Sequence, residues 1–327
     1  MSNLIIYVSS RNNYDMFQGE ILDNFETNGF EIINVDDDSI PAEQEKGKKY
    51  CEEAGVVYLQ NKSRGVQMAT QTVMDYINEN RPNCKFVLCF QHDVKPLDLD
   101  LFNQLSRRID EGEFDGVGAF GFNVLDNGKY TKDMRRQWNM LESPKGMLGL
   151  CHLGVKDNRM RWISPGHNKV AVKNPEKFDR PFLVEFPAWM AVGISVKLWN
   201  EFISPTDQYH FHLWFPSVAM AFNYNNIPVV TIPDLYCLNQ QELKEKYSIP
   251  TNSAHGSKNG DTHHFGEYQL SHDTWLSQWG WEYENVGGTF PTVAHNYSGT
   301  MIERFYNHDI NEGPICYLED WEEYLNG

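Results

Sequence analysis

Short apolar runs alternate with amphipathic stretches along the first hundred residues of the chain. Four runs are expected to be buried strands: residues 4–10 (LIIYVSS), 30–35 (FEIINV), 55–60 (GVVYLQ) and 85–90 (KFVLCF). The stretches between them carry apolar residues three and four positions apart, which is typical of surface helices. Strands that alternate with helices predict a mostly parallel sheet in an α/β fold, with helices on both faces.

The pattern continues with gaps beyond the first hundred residues. It predicts a helix over residues 97–109, long loops over 127–180, and a helix, a turn and a strand over 218–238. After Pro250 the composition shifts towards Gly, Asn, His and Trp without a clear period. We therefore expect a main domain over residues 1–250 and a C-terminal extension over 251–327 that packs on it.

Each of the four predicted strands ends in polar residues or is followed directly by them. They are Ser9-Ser10-Arg11-Asn12, Asp36-Asp37-Asp38-Ser39, Gln60-Asn61-Lys62-Ser63-Arg64 and Gln91-His92-Asp93. The carboxyl ends of parallel strands lie side by side along one edge of a sheet, where open α/β folds bind ligands. One polar loop would mean little, but four in register predict a ligand groove at this edge.

Asp93 stands at the end of the fourth strand, KFVLCF. A carboxylate at such a place suits a hard divalent cation such as Mg²⁺ or Mn²⁺, which also takes phosphate oxygens from a substrate. The other interpretation is that Asp93 caps the turn before Pro96. For its neighbour His92 we favour a role in lining the pocket or in orienting a metal ligand.

Three adjacent carboxylates, Asp36, Asp37 and Asp38, follow the second strand. Crowded carboxylates repel one another, so a solvated loop is one interpretation. The functional interpretation is a carboxylate that accepts hydrogen bonds from a nucleobase or a ribose. Arg64, at the opening of the next helix, is a candidate phosphate partner because its planar guanidinium matches phosphate geometry.

Charge and cysteine usage narrow the class of protein. The chain carries 28 Lys and Arg against 45 Asp and Glu, a formal net charge of −17, which disfavours nonspecific binding to nucleic acid. Its six cysteines form no C-x-x-C pair and are expected to be reduced. The N-terminus lacks the features of a signal peptide, and no apolar run approaches the ~20 residues of a membrane span. We expect a soluble, cytoplasmic protein.

Several common nucleotide and hydrolase motifs are missing from the sequence. There is no G-x-x-x-x-G-K-[ST] loop, and no G-x-G-x-x-G follows the first strand. This disfavours a P-loop NTPase and a dinucleotide-binding fold. No G-x-S-x-G elbow is present, which disfavours a serine hydrolase.

Three segments together resemble the glycosyltransferases of the GT-A fold, in particular the large family of bacterial and phage nucleotide-sugar transferases. They are VDDDS after the second strand, NKSRGVQMATQTVMDYI at the next helix, and FQHDVKPL at the tip of the fourth strand. The resemblance covers residues 3–125 well and 182–238 loosely. It implies a Rossmann-like GT-A sheet, a UDP-sugar donor, and Mn²⁺ or Mg²⁺ as cofactor.

The resemblance also implies roles for individual residues. Asp36 or Asp37 would contact the uracil, and Asp93 matches the last acid of the family's Asp-x-Asp metal motif, in which Gln91 replaces the first. The nucleotide-binding residues expected on this basis are Ser9, Arg11, Asp36, Asp37, Arg64, Gln91 and His92. The family often has a late histidine as a further metal contact, for which we take His255 from a group that includes His263, His264 and His272.

The catalytic base is the weakest part of the resemblance. Pro216 and Ser217 stand where inverting members of the family carry an acid pair. Asp207 and Asp234 are the nearest spare carboxylates and become the candidate catalytic residues. The pair His210 and His212 would point to one side of a strand and could bind a metal, although packing beside aromatic residues is the commoner use.

The leading hypothesis is therefore a metal-dependent glycosyltransferase of the hexosyltransferase class that moves a sugar from a nucleotide-sugar donor to an unknown acceptor. Two alternatives remain open. One is a catalytically silent nucleotide- or glycan-binding module of the same fold, motivated by the missing acid pair. The other is a metal-dependent nucleotidyltransferase or phosphohydrolase that uses the same edge of the sheet.

Overall fold

The computed structural model of the chain describes residues 3–22, 25, 29–92, 94–126, 154–156, 159–161, 174–210, 213–239, 243–247, 263–279, 288–289, 296–309 and 312–327. The strands are β1 (Leu4–Ser10), β2 (Ile32–Asp36), β3 (Val57–Gln60), β4 (Phe86–Phe90), β5 (Val94–Pro96), β6 (Ala119–Asp126), β7 (Gly154–Lys156), β8 (Arg159–Arg161), β9 (Phe182–Leu183), β10 (Ala191–Ser195), β11 (Val229–Asn239) and β12 (Gly288–Thr289). The α-helices are α1 (Tyr14–Met16), α2 (Pro41–Ala54), α3 (Val66–Asn80), α4 (Leu99–Asp110), α5 (Val196–Phe202), α6 (Trp214–Tyr224), α7 (Leu243–Lys246), α8 (His263–Trp279), α9 (Met301–Asn307) and α10 (Trp321–Asn326). A π-helix (Phe17–Leu22) follows α1, and two 3₁₀ turns cover Pro175–Lys177 and Leu318–Asp320.

One large sheet organises the described part of the chain. Its strand order is β3-β2-β1-β4-β10-β6-β11-β5, and β9 pairs with β11 beside this path. β1 to β4 are parallel, and β6 and β11 point the same way because β10 lies antiparallel between β4 and β6. β5 and β9 are antiparallel to β11. The predicted α/β fold with a mostly parallel sheet is confirmed.

Successive residues of the strands enter two separate hydrophobic cores, as the period of two requires. In β1, Ile5 and Tyr7 belong to one core, and Leu4, Ile6 and Val8 to the other. The first core is covered by α3, α5, α6 and α8, and we call this side of the sheet the α3 face. The second is covered by α1, the π-helix, α2, α4 and α9, and we call it the α2 face. Helices therefore cover both faces, as predicted.

The predicted elements and the observed ones agree closely where both can be compared. The helix expected over residues 97–109 is α4, and the helix, turn and strand expected over 218–238 are α6 and β11. The four N-terminal strands lie where the apolar runs predict them. Most of the loops expected over 127–180 lie outside the described residues.

Residues of the C-terminal segment pack into both cores. Trp275 and Trp279 of α8 are buried on the α3 face, and Met301 and Phe305 of α9 are buried on the α2 face. A small antiparallel sheet of β12, β8 and β7 lies apart from the main one. The described part of the tail thus contributes to the main cores, whereas the proposed domain boundary at residue 250 stays a prediction.

Two general expectations can be compared with the described residues. The cysteines among them, at 51, 84, 89, 237 and 316, are buried free thiols, which fits their expected reduced state. Burial raises the pKa of Cys84 to about 12, so this thiol behaves as a small apolar side chain. None of the described helices has both the length and the apolar character that crossing a bilayer requires.

Candidate functional site

The tips of the first four strands meet at one edge of the sheet. The N–H of Asp37 donates to the carbonyl of Ser10 at 2.7 Å, which joins the tips of β2 and β1. The N–H of Asn61 donates to the carbonyl of Asp36 at 2.9 Å, which joins β3 to β2. Ser10 Oγ lies 2.9 Å from His92 Nε2, which joins β1 to the tip of β4. The structure thus brings together the four polar segments that the sequence places after these strands.

Asp36 and Asp37 point to opposite faces of the sheet. Asp36 continues the alternation of Ile32 and Asn34 and lies on the α2 face, where its side chain contacts Tyr14. Asp37 comes one residue later and turns to the α3 face, where it contacts the start of α3. Both carboxylates are buried. The strand end therefore supplies one carboxylate to each side of the edge.

The carboxylate of Asp36 is held by donors from three other residues. Its Oδ2 accepts from the Tyr14 hydroxyl at 2.7 Å. Its Oδ1 accepts from the backbone N–H of Ser39 at 3.1 Å and from Gln44 Nε2 at 3.4 Å. Asp36 is fully buried, so these bonds replace water around its charge. Its side chain holds the loop after β2 in place.

A chain of hydrogen bonds runs from Asp36 to the tip of β4. Asn34 Nδ2 donates to the Tyr14 hydroxyl oxygen at 3.1 Å, and the Ser10 hydroxyl donates to Asn34 Oδ1. Ser10 in turn contacts His92 Nε2. Burial and the bond to Asp36 raise the pKa of Tyr14 well above its usual range, so its hydroxyl stays protonated. Desolvation lowers the pKa of His92 to about 4, which keeps the imidazole neutral at pH 7.

Asp37 is the centre of a second polar cluster, on the α3 face. Its Oδ1 accepts from the N–H of Gly65 and from Asn61 Nδ2, each at 2.8 Å. Desolvation raises the pKa of Asp37, while these two donors and the nearby charges of Arg11 and His210 lower it by a smaller amount. A buried carboxylate with a raised pKa beside an arginine is typical of a ligand site.

Gly65 is required by the geometry of this cluster. Its φ is +109°, a conformation that L side chains rarely adopt, and a Cβ there would lie 2.8 Å from the Cα of His210. The loop can therefore approach residue 210 only because position 65 has no side chain. The N–H groups of Gly65 and Val66 are already bound, to Asp37 and to the carbonyl of His210, so a phosphate near Arg64 would not meet these two donors.

The remaining predicted nucleotide-binding residues lie along the same edge. Ser9 is half-buried at the end of β1, and Arg11 is exposed in the next loop. Arg64 is half-buried immediately before Gly65. Gln91 is half-buried, and its N–H donates to the carbonyl of Met190 at 3.1 Å, which places the start of β10 beside the tip of β4.

The predicted metal ligands Asp93 and His255 lie outside the described residues, as does His212 of the His-x-His pair. Among the residues that are described, no three His, Cys, Asp or Glu side chains come together as a metal site. Mg²⁺ and Mn²⁺ bound to a nucleotide take many of their ligands from phosphate and water, so one or two carboxylates are enough. The cation site at the end of β4 therefore stays a prediction.

The two candidate catalytic acids are exposed and have different partners. Asp207 Oδ2 accepts from Ser63 Oγ at 3.3 Å, so it lies next to the loop that leads into Gly65. Asp234 forms an ion pair of 3.2 Å with Arg108 of α4. The contacts of Asp207 place it beside the β3 tip, whereas those of Asp234 place it against α4.

The position at which the predicted resemblance would place an acid pair is occupied by a structural contact. Ser217 is buried in α6, and its hydroxyl donates to Gln278 Oε1 of α8 at 3.0 Å. The hydroxyl of Tyr209 donates to the same oxygen at 2.8 Å. Ser217 therefore links α6 to α8 and supplies no carboxylate at this position.

Three residues of the site carry no motif that singles them out in the sequence. They are Tyr14, Asn34 and Asn61, which connect the strand tips through their side chains. Asn34 leaves one signal, because it is a polar residue at an inward-facing position of the apolar run IINV. Tyr14 begins the short helix α1, and Asn61 lies in the polar loop after β3, where such residues are ordinary.

Neither protein-family models nor curated proteins match the chain. Three solved structures show a similar fold. TarS residues 1–349 from S. aureus is 12% identical over 85% of this chain and 72% of that chain, with a TM-score of 0.43. GalNAc-T7 with UDP, GalNAc and Mn²⁺ is 10% identical over 73% and 44%, with a TM-score of 0.49.

The third structure is glucosyl-3-phosphoglycerate synthase from Mycobacterium tuberculosis with Mn²⁺, UDP and glucosyl-3-phosphoglycerate. It is 10% identical over 90% of this chain and 89% of that chain, with a TM-score of 0.43. These likenesses concern the fold only. Because each TM-score is below 0.5, they establish neither the activity nor the cofactor of this chain, and Mn²⁺ and UDP are ligands of those structures.

Proposed function

We propose that the chain is a metal-dependent glycosyltransferase whose donor is a nucleoside diphosphate sugar, with UDP as the preferred nucleotide. The observation that carries this proposal is the meeting of four polar strand tips at one edge, with the buried carboxylate of Asp37 on the α3 face. A buried carboxylate at such an edge is suited to accept a hydrogen bond from the N–H of a uracil ring.

The other residues at the edge have complementary roles in the proposal. Ser9, Gln91 and His92 line the pocket, and Arg11 and Arg64 meet phosphate oxygens, for which guanidinium groups are suited. Asp93 would hold Mn²⁺ or Mg²⁺, with His255 as a further contact. The bound ion supplies charge neutralisation for the departing diphosphate. Asp36, in contrast, has a structural role, because its carboxylate is already bound within the protein.

Asp207 is the stronger of the two candidate bases. It is exposed and lies beside Ser63 in the loop that enters the Asp37 cluster, so an acceptor could reach it. Asp234 would first have to give up its ion pair with Arg108. A carboxylate that removes a proton from an acceptor hydroxyl is the base that hexosyl transfer with inversion requires.

The proposal is tested with the purified chain, Mn²⁺ and a panel of nucleotide-sugars. We expect UDP to raise the melting temperature only when Mn²⁺ is present, because a ligand at one hundred times its Kd stabilises by about 2.7 kcal/mol. We expect one UDP-sugar to release free UDP over time. No shift with any nucleotide, with either Mn²⁺ or Mg²⁺, would contradict the proposal.

A matched pair of variants sharpens this test. Asp93→Asn removes the proposed metal ligand and should abolish both the Mn²⁺-dependent shift and the release of UDP. Asp98→Asn is the control, because Asp98 accepts from the N–H of Asp100 at the start of α4 and Asn can take over that role. Equal activity of Asp93→Asn and Asp98→Asn would remove Asp93 from the proposal.

One observation favours a second candidate, a nucleotide-binding module without catalysis. Ser217, at the position where the family carries acids, is bound to Gln278, and no acid replaces it there. For such a module, UDP would bind in the presence of Mn²⁺, but no nucleotide-sugar would be consumed. Binding without release, with the full donor panel and added simple sugars as acceptors, distinguishes it from the enzyme.

A further inference from the structure

A buried relay of side chains lies on the α2 face of the edge and leads from Asp36 to His92. Its members are Asp36, Tyr14, Asn34, Ser10 and His92, each hydrogen-bonded to the next. Except for the half-buried His92, every member is at most 2% exposed, so water does not compete for the bonds between them. Nothing in the proposed function uses the first four of these residues as a unit.

The direction of each hydrogen bond follows from the carboxylate at the start of the relay. Asp36 can only accept, so the single hydroxyl hydrogen of Tyr14 is directed to it. Asn34 must then donate its Nδ2 hydrogen to the Tyr14 oxygen, and this fixes which way its amide faces. The Oδ1 of Asn34 is thereby turned towards Ser10.

The second half of the relay is fixed in the same way. Ser10 has one hydroxyl hydrogen, which it gives to Asn34 Oδ1. Towards His92 the Ser10 oxygen can then only accept, at a distance of 2.9 Å from Nε2. The ring hydrogen must therefore be on Nε2, and Nδ1 is left as the acceptor nitrogen of the neutral ring.

We propose that Asp36 is a positioning residue, which through this relay fixes the hydrogen of His92 on Nε2 and holds the β4 tip in one orientation relative to β1. The expected effect on metal affinity rests on the proposed function, in which Asp93 holds the ion. The relay itself does not. Groups that orient a metal ligand typically change metal affinity 10- to 100-fold when they are removed.

The variant Tyr14→Phe tests the direction of the relay. Without the Tyr14 hydroxyl, Asn34 has no acceptor on that side, so its amide can turn and donate to Ser10. The Ser10 hydrogen then becomes available to His92 Nε2, and the ring can carry its hydrogen on Nδ1. Nitrogen-15 NMR of histidine-labelled protein distinguishes the two tautomers directly. We expect the Nε2–H form in the native protein and a shift towards Nδ1–H in the variant.

Two variants at hydrogen bonds outside the relay are matched controls. Tyr50→Phe removes a phenol that donates to Asp15 at 2.9 Å on the protein exterior. Ser106→Ala removes a serine that donates to Asn3 at 2.5 Å, and serves as the control for Ser10→Ala. Neither control should change the tautomer of His92. If Tyr14→Phe does not fold, Ser10→Ala gives the same test, because it removes the acceptor of the Nε2 hydrogen and should yield a mixture of tautomers.

Metal affinity is measured in parallel by the electron paramagnetic resonance of free Mn²⁺ in the presence of UDP. We expect about tenfold weaker binding in Tyr14→Phe and Ser10→Ala than in their controls. Native protein with the hydrogen on Nδ1, or a Tyr14→Phe variant with unchanged tautomer and unchanged affinity, overturns the inference. Native protein that shows the Nε2–H form but binds no Mn²⁺ overturns the proposed function and the role for Asp93, while the relay stands.

Discussion

Asp36 and Asp37 are neighbours in the chain and both buried, at 0% and 6% exposed, but their surroundings differ in kind. Asp36 receives donors on both oxygens, from a phenol, a backbone N–H and an amide, and starts a relay that stays within the protein. For Asp37, the two donors among the described residues both reach Oδ1, and Arg11 and His210 lie close enough to lower its pKa.

This difference separates a structural carboxylate from one directed at a ligand. Burying a charge is costly unless hydrogen bonds or opposite charges replace the lost water. At Asp36 the protein supplies that replacement in full. At Asp37 the pKa is raised by desolvation, so the fold holds a carboxylate that is less well compensated than in water. A bound base that donates to Asp37 would complete its surroundings.

The largest expected effect on stability comes from Asp36→Ala. This change leaves the hydroxyl of Tyr14 and the N–H of Ser39 buried without an acceptor, and each unsatisfied group costs about 1–3 kcal/mol. We expect the free energy of unfolding to fall by about 3 kcal/mol, measured by urea denaturation. Asp37→Ala should cost clearly less, and equal losses in the two variants would remove the distinction between them.

The next largest effect on stability is expected at Gly65, whose N–H donates to Asp37. Gly65→Ala places a Cβ 2.8 Å from the backbone of His210 at a φ of +109°, so the loop must move. We expect a loss of about 2 kcal/mol in stability and loss of UDP binding by melting shift. Gly55→Ala is the matched control, because its φ is also positive but nothing lies within 4 Å of the added carbon. It should cost about 1 kcal/mol and leave UDP binding unchanged.

The pH dependence of stability distinguishes Asp37 further. Its folded pKa is raised above the unfolded value, so the folded state holds the proton more tightly, and stability falls as pH rises between the two values. A difference of one pKa unit between the folded and unfolded states changes the free energy of unfolding by about 1.4 kcal/mol. Asp37→Asn lacks this loss, so its stability relative to the native protein should improve from pH 3 to pH 7. If the difference in stability between the variant and the native protein stays the same from pH 3 to pH 7, folding does not raise the pKa of Asp37.

The same variant should weaken UDP binding about tenfold, because a hydrogen bond to a charged group is lost. The N–H of Gly65 and the amide of Asn61 would keep the new Oδ1 facing them, which leaves Nδ2 facing the base. A nitrogen donor cannot accept from a uracil N–H. Unchanged UDP affinity in Asp37→Asn would move the base-recognition role to another residue.

The smallest effects on stability belong to Asp207→Asn and Asp234→Asn. Both side chains are exposed, and exposed ion pairs contribute about 0–1 kcal/mol. If Asp207 is the base, its variant loses turnover of the donor in the presence of acceptor, while UDP affinity stays the same. Loss of turnover in Asp234→Asn alone would assign the base to the residue bound by Arg108.

Much of the fold could be predicted because it depends on patterns along the chain. The runs LIIYVSS, FEIINV, GVVYLQ and KFVLCF bury both faces of a parallel sheet, so their continuous apolar character is a strong signal. The meeting of their tips follows from parallel pairing. Placing Ser10, Asp37 and His92 at one edge therefore required no knowledge of long-range contacts.

The separate roles of Asp36 and Asp37 at this edge could not be predicted from such patterns. Whether Asp36 or Asp37 faces the α3 side depends on the residue at which β2 ends, and a shift of one residue reverses it. The relay depends on Tyr14, whose chain position gives no hint that its hydroxyl reaches Asp36. Similarly, Ser217 and Gln278 are 61 residues apart and meet only through packing of the tail.

The contact between Gln278, Ser217 and Tyr209 has a consequence for trimming the chain. A single amide oxygen in α8 receives both hydroxyls, and Trp275 and Trp279 from the same helix fill the α3-face core. Cutting after residue 250 would remove both indoles from that core and leave the buried hydroxyls of Tyr209 and Ser217 without their shared acceptor. We expect such a shortened chain to aggregate at lower concentrations than the whole chain, because apolar core surface would be exposed.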